Sequence, residues 1–109
     1  MIHLELHPGA AQEVDAIIDW YEDQREGLGA EFLAQLRRDL QSITENPRTN
    51  PPWPGARTRA LDVRRFIMER FPFVLPYVMR EDLVVVLAIA HVRRRPGYWL
   101  ERAKPPRRR

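Results

Sequence analysis

The sequence predicts an α+β fold of two layers, in which a helical hairpin packs on one face of a sheet. A short alternating stretch begins the chain, two amphipathic stretches of helical period follow, and strand-like patterns return between residues 59 and 90. The predicted order is therefore strand, helix, helix and a three-stranded antiparallel meander. The 109 residues are expected to form a single domain over residues 1–103, followed by a disordered basic tail at residues 104–109.

The amino-terminal half is predicted to contain one strand and two helices. Apolar and polar residues alternate over Ile2–His7, which is typical of a half-buried strand. Pro8 suits the start of a helix, because the first helical position needs no N–H donor. Gly27 and Gly29 interrupt the helical spacing, and a second helix continues until Pro47. Two antiparallel helices with their apolar stripes facing the sheet are the expected result.

Two groups of polar residues in this half are interpreted as solvent-exposed. His3 and His7 share the polar face of the first strand, but two histidines without a third ligand do not make a metal site. The acidic residues of the first helix lie opposite its apolar stripe, where charge is ordinary. They are Glu13, Asp15, Asp19, Glu22 and Asp23. We therefore predict no metal and no cofactor.

The middle of the chain is predicted to be a loop that crosses from the helices to the sheet. Residues 47–58 contain four prolines and one glycine, which is typical of irregular backbone. Trp53 is expected to anchor this loop to the core, whereas an exposed Trp53 would be a contact residue. Trp20, off the main stripe of the first helix, covers either an edge of the core or a partner.

The meander is predicted from the apolar stretches that follow the loop. The first two strands should begin near Arg59 and meet around Glu69–Pro72, with a bulge or a strand end near Arg64. Pro76 removes a ladder hydrogen bond, so an unpaired side or a bulge is expected there. Leu83–Ala90 is an unbroken apolar run and is predicted to be a final strand buried on both faces.

The formal net charge of +3 hides a separation of charge along the chain. Residues 1–50 hold four arginines against ten acidic residues, whereas residues 51–109 hold fourteen basic residues against five acidic ones. All the basic residues except Lys104 are arginines, whose guanidinium groups suit flat, bidentate contact with carboxylate or phosphate. The second half therefore predicts an acidic partner surface, on a protein or on a nucleic acid.

Composition also excludes several classes of protein. The chain has no cysteine, which excludes disulfides, thiolate metal sites and a cysteine nucleophile, and fits a reducing cytoplasm. No apolar segment approaches the roughly 20 residues of a membrane span. Glu5 comes too early for a signal peptide. We expect a soluble, cytoplasmic protein that does not engage a membrane.

Candidate site residues follow directly on the last predicted strand. His91 ends the strand, and Arg93–Arg95, Tyr98 and Trp99 come next. His91 is either a hydrogen-bonded residue that caps the sheet or a group that transfers protons. Arg93–Arg95 form either an anion-facing surface or a solvated turn. Tyr98 and Trp99 either close the core or stack on nucleobases.

Residues 63–99 carry a pattern that resembles a known family. They read VRRFIMERFPFVLPYVMREDLVVVLAIAHVRRRPGYW. The pattern resembles the RelE/ParE superfamily of toxins from bacterial type II toxin–antitoxin modules, and within it the ParE-like, plasmid-stabilisation branch. The shared features are an arginine-bearing strand, a Phe-Pro-aromatic turn, a strand with a tyrosine, a valine-rich strand and a closing His-x-Arg-Arg-x-Pro-x-Tyr-Trp. Pro76 departs from the residue type expected in the family.

The resemblance implies a growth-inhibiting toxin that a cognate antitoxin neutralises in a hetero-oligomer. ParE-like members inhibit DNA gyrase by binding, without chemistry of their own, and this is the function we favour. The basic ending would then be a contact surface for antitoxin or gyrase. The residues assigned to this surface are Arg64, Arg65, Arg93, Arg94, Arg95, Tyr98 and Trp99.

RelE-like members are instead metal-free endoribonucleases that cut messenger RNA on the ribosome. In that alternative His91 would take the 2′-hydroxyl proton, and Arg93–Arg95 together with Arg64 and Arg65 would stabilise the developing charge. Tyr98 would stack on a base. Against it, this branch usually carries an arginine shortly before the tyrosine of the third strand, where this chain has residues 74–76, Val-Leu-Pro. A plain nucleic-acid-binding module is a third hypothesis, for which the chain shows no reading element. Whether the protein is an enzyme stays open.

Overall fold

Residues 1–105 are described by a computed structural model, and they form the predicted α+β fold. The strands are β1 (His3–Leu6), β2 (Arg64–Ile67), β3 (Phe73–Arg80), β4 (Leu83–Val86) and β5 (Ala90–His91). The helices are α1 (Pro8–Gln24), α2 (Leu28–Glu45) and α3 (Ala56–Ala60), and a 3₁₀ turn covers Leu100–Ala103. In the predicted tail, Lys104 donates to Glu101 Oε1 at 2.8 Å, while residues 106–109 lie outside the described residues.

The helical hairpin forms where the sequence predicts it. Pro8 lies in the first turn of α1, and His7 Nδ1 accepts the Gly9 N–H at 3.0 Å, so His7 caps the helix. Gly27 turns the chain into α2 with a φ of 87°, a conformation that glycine adopts without strain. Within residues 1–105, no group of three or more His, Cys, Asp or Glu side chains is placed to hold a metal ion. No helix in this range is long and apolar enough to cross a membrane.

The sheet contains the predicted meander and one strand whose position was not predicted. Its order is β1-β4-β3-β2, and β2, β3 and β4 pair antiparallel. β1 lies at the edge, parallel to β4, with Leu4 opposite Val84. A parallel neighbour requires a long crossover, and the helical hairpin with the loop and the meander supplies it.

The last strand is interrupted, in contrast to the unbroken strand predicted over Leu83–Ala90. Opposite β3, Tyr77 pairs with Val86 and Val74 pairs with Ala90, so the second strand contains one extra residue. Pro76 explains the interruption, because its carbonyl accepts the Leu87 N–H at 2.8 Å but its ring nitrogen has no hydrogen to return. Of the two outcomes expected at Pro76, an unpaired side or a bulge, the structure shows a bulge, which lies in the facing strand and not in β3 itself. The bulge frees backbone groups between β4 and β5 for other partners.

The segment before the meander differs from the prediction as well. Ala56–Ala60 is a short helix, and β2 begins at Arg64 rather than near Arg59. Thr58 holds this segment in place, since its hydroxyl lies within 3.1 Å of three loop carbonyls and its own carbonyl accepts the Val63 N–H at 3.0 Å. A five-residue helix is too short to show a helical period, which is why the sequence predicted a loop up to Thr58 and a strand from Arg59.

The two faces of the sheet are covered by different parts of the chain. α1 and α2 cover one face, as predicted, and enclose a core that includes Phe32, Phe73 and Tyr77. The opposite face is covered by the loop before β2 and by the carboxy-terminal segment, with Trp99 fully buried. Trp53 meets Trp99 edge to face, with ring centroids 4.8 Å apart, so its predicted role as an anchor is confirmed.

Candidate binding surface

The arginine cluster lies on the turn that follows β5. Arg94 N–H donates to the His91 carbonyl at 2.9 Å, which closes the turn. Arg93, Arg94 and Arg95 are exposed. Among residues 1–105, no ion pair or hydrogen bond engages the guanidinium groups of Arg93 and Arg95. These two cations are therefore available to a partner.

Arg94 is held in place by a stack of side chains from the carboxy-terminal segment. Its Cζ lies 3.6 Å from the Tyr98 ring centroid, and the Arg102 Cζ lies 5.4 Å from the same centroid. Burial, together with the negative charge of Glu13, raises the pKa of Tyr98 to about 12. The phenol is therefore neutral at physiological pH.

Glu13 connects this stack of side chains to the bulged segment between β4 and β5. The sequence did not predict this connection. Its carboxylate accepts the Ile89 N–H at 2.9 Å and pairs with Arg102 Nη1 at 3.0 Å, and Arg102 also donates to the Leu87 carbonyl at 2.9 Å. A Cβ on Gly9 would lie 2.5 Å from Arg102 Cζ, so glycine leaves the room that this guanidinium occupies. The interpretation of Glu13 as a solvent-exposed helix residue was wrong, because its two carboxylate oxygens accept hydrogen bonds from the Ile89 N–H of the bulge and from Arg102.

Arg64 and Arg65 are neighbours in β2 but lie on opposite faces of the sheet, since side chains alternate along a strand. Arg64 pairs with Tyr77 on the helix face and donates to the carbonyls of Arg48 at 3.1 Å and Asn50 at 2.7 Å. It therefore fastens the loop before β2. Arg65 pairs with Pro76 on the face away from the helices, and only Arg65 of the two lies near the arginine cluster.

A cavity of about 210 Å³ lies between Arg65 and the turn of the arginine cluster. Its cationic lining residues are Arg65, Arg94 and Arg95, its apolar ones include Trp53, Val74 and Trp99, and none of its lining residues is acidic. Two buried N–H donors belong to this lining, Arg65 Nε and Trp99 Nε1, and neither has a hydrogen-bond partner among the described residues. Trp99 itself is fully buried, which removes its ring from the predicted contact surface.

His91 lies at the end of β5 on the helix face. It pairs with Phe73, whose ring centroid is 5.5 Å from that of the imidazole in an edge-to-face contact. Its Nδ1 accepts the Arg93 N–H at 3.1 Å, so in the neutral imidazole the proton is on Nε2. The interpretation of His91 as a hydrogen-bonded residue at the strand end agrees with this geometry.

An apolar groove on the helix face was not predicted as a site. It measures about 440 Å³ and is lined by residues of α1 together with Phe73 and His91. Trp20 lies at this groove and is 59% exposed. The signal for it in the sequence was the position of Trp20 off the apolar stripe of α1.

The chain was compared with family models, curated proteins and solved structures. A family model described as "ParE toxin of type II toxin-antitoxin system, parDE" matches residues 4–96. Among solved structures, a chain of the chromosomal ParDE toxin–antitoxin system from P. aeruginosa is similar, with a TM-score of 0.69 and 21% sequence identity. That match covers 84% of this chain and 96% of the other, and at this identity it speaks for the fold. No curated protein shows a significant match.

Proposed function

The chain belongs to the ParE toxin family of type II toxin–antitoxin systems, and from that premise we propose that it inhibits bacterial growth by binding a cellular target. DNA gyrase is the favoured target. The protein acts in the cytoplasm, needs no cofactor, and is neutralised by a cognate antitoxin in a hetero-oligomer. A role in plasmid stabilisation would follow if the pair of genes lies on a plasmid.

The observation that carries a binding function is the set of exposed cations after β5. Arg93 and Arg95 have no ion pair among the described residues, and Arg94 is fixed on Tyr98. Exposed positive charges that no acidic residue neutralises favour binding to an acidic surface. They also increase the rate at which the complex forms. An acidic segment of the antitoxin and an acidic region of the target are both suitable partners for this surface.

The groove at Trp20 supports a second contact with the antitoxin. It adjoins the arginine turn, because His91 lines both the groove and the cation-lined cavity. An amphipathic segment can place apolar residues against Trp20 and acidic residues against the arginines. One polypeptide would then cover both surfaces.

The ribonuclease alternative keeps one supporting observation, the cluster of Arg65, Arg94 and Arg95 around a cavity, which suits a phosphate. Two features disfavour it. The His91 Nδ1 lone pair is occupied by the Arg93 N–H, so the neutral ring carries its proton on Nε2 and keeps no free lone pair to act as a base. The Tyr98 ring, which would stack on a base in this alternative, is covered on one side by Arg94, whose Cζ lies 3.6 Å from the ring centroid.

A direct test uses the chain purified from its antitoxin complex in two parallel assays. We expect inhibition of gyrase supercoiling and no cleavage of ribosome-bound messenger RNA. R93A/R95A should lose the inhibition, whereas R57A/R59A, which removes two exposed arginines elsewhere, should retain it. Cleavage of the message that disappears in the His91→Ala variant would overturn the proposal in favour of a ribonuclease.

A further inference from the structure

We propose that the cavity beside Arg65 is a receptor for one carboxylate side chain, an aspartate or a glutamate, on a protein partner. The proposal rests on the proposed function, because it names the group that the arginine surface recognises. The same partner surface could belong to the antitoxin or to the target, and the chemistry of recognition is common to both.

The first argument is the state of Arg65. Its Nε is buried and has no hydrogen-bond partner within residues 1–105, and no carboxylate in that range pairs with its guanidinium. A buried donor left unpaired is destabilising, and arginine presents its donors in a planar fork that matches a carboxylate. The neighbouring Arg64 shows the contrast, because it is satisfied by two loop carbonyls.

The second argument is a further unpaired donor in the same wall. Trp99 Nε1 is buried without a partner, although tryptophan N–H groups in cores usually find one. Arg65 comes from β2 and Trp99 from the carboxy-terminal segment, and both line this cavity. Both donor atoms are buried and do not themselves contact a partner in this conformation. They add unneutralised positive potential to a cavity that no acidic residue lines, which favours an acceptor from outside.

The size and lining of the cavity favour a side chain over a nucleotide. Its volume of about 210 Å³ is below the range of roughly 300–1,000 Å³ typical of small-molecule sites. Trp53, Val74 and Trp99 provide apolar walls for a methylene stem, and Arg94 and Arg95 add positive charge at the rim. A carboxylate in such a partly desolvated site is attracted more strongly than it would be in water.

The test is a titration of the isotope-labelled full chain followed by nuclear magnetic resonance at constant ionic strength. The probes are a capped tetraglutamate peptide, a capped tetraglutamine peptide and a single-stranded RNA tetramer. We expect tetraglutamate to shift the Trp99 indole N–H and the Arg65 Nε–H signals in a saturable manner. The indole N–H of Trp20, which lies on the other face of the sheet, should not move, and tetraglutamine should move none of them.

Matched variants connect the shifts to the cavity. Arg65→Lys keeps the charge but loses the fork, and should weaken tetraglutamate binding about tenfold or more. Arg57→Lys, which changes an exposed arginine that does not line the cavity, should bind like the parent chain. If Arg65→Lys loses the dispersed amide spectrum of a folded chain, Arg95→Lys takes its place, since Arg95 is an exposed lining residue.

Three results would overturn the proposal: no shift of the Trp99 indole signal with tetraglutamate, an equal loss of binding in Arg57→Lys, or a tighter response to the RNA tetramer. The readout does not depend on toxicity. A chain that inhibits gyrase but shows no shift contradicts the carboxylate receptor alone, whereas a chain that binds tetraglutamate but inhibits nothing contradicts the proposed function alone.

Discussion

The two faces of the sheet are held by different kinds of interaction. On the helix face, Tyr21, Phe32, Phe71 and Phe73 form a cluster of rings with centroids 5.2–6.3 Å apart. On the opposite face a short carboxy-terminal segment is fastened by the Glu13–Arg102 ion pair and by one tryptophan pair. On the opposite face three donors are buried without a hydrogen-bond partner among the described residues, Arg65 Nε, Tyr98 OH and Trp99 Nε1. The cavity lined by Arg65, Arg94 and Arg95 also lies on that face. We infer that the first face stabilises the fold and the second presents the surface that binds.

The largest expected loss of stability comes from a substitution on the helix face. Phe32 is fully buried and contacts three aromatic rings, so Phe32→Ala should lower the free energy of unfolding by about 3–5 kcal/mol. Urea denaturation measures this loss. Ile67→Ala is the control, because Ile67 is 58% exposed and its truncation should cost about 0.5 kcal/mol or less. Equal losses in the two variants would contradict the division between the faces.

An intermediate loss of stability is expected at Glu13, which connects α1 to the carboxy-terminal segment. Glu13→Gln removes a charge that holds both Arg102 and the Ile89 N–H, and should lower stability by about 1–3 kcal/mol. Asp15→Asn, on the same helix but exposed, should change stability little. Hydrogen exchange at Ile89 should also become faster in Glu13→Gln, and an unchanged rate would show that the ion pair does not fasten the bulge.

A smaller effect is expected at high pH on the second face. Burial and the Glu13 charge raise the pKa of Tyr98 from 10.0 to about 12, so the folded state holds the phenolic proton more tightly than the unfolded state. The stability that Tyr98 contributes is therefore complete below pH 10 and is lost as the pH rises toward 12. Denaturation measured across this range should show a shallower decline in Tyr98→Phe than in the parent chain, and identical slopes would contradict it.

The smallest effect on stability is expected at the arginine turn. R93A/R95A should change the free energy of unfolding by about 0.5 kcal/mol or less, because these side chains are exposed and unpaired among the described residues. The same variant should lose gyrase inhibition or antitoxin affinity. A large loss of stability would show that the turn belongs to the scaffold rather than to the binding surface.

The sequence predicted the binding surface only in part, and the reasons are physical. Arg93–Arg95 could be recognised because they form a run next to a turn. Arg64 was assigned with Arg65 because the apolar pattern slips at β2, so the face of each side chain could not be read. Glu13 was taken as exposed, because its partners are the Ile89 N–H in the bulge and the Arg102 guanidinium, which lie 76 and 89 residues away along the chain.

The sequence by itself determined the order of elements, the helical hairpin, the meander and the basic ending, because periodicity and turn residues are local signals. Only the tertiary structure decided that β1 lies beside β4, that Pro76 breaks the last strand, and that Trp99 closes the second face. These outcomes depend on which distant groups meet across the sheet. The cavity lined by both Arg65 and Trp99 also depends on tertiary structure, since 33 residues lie between these two positions in the sequence.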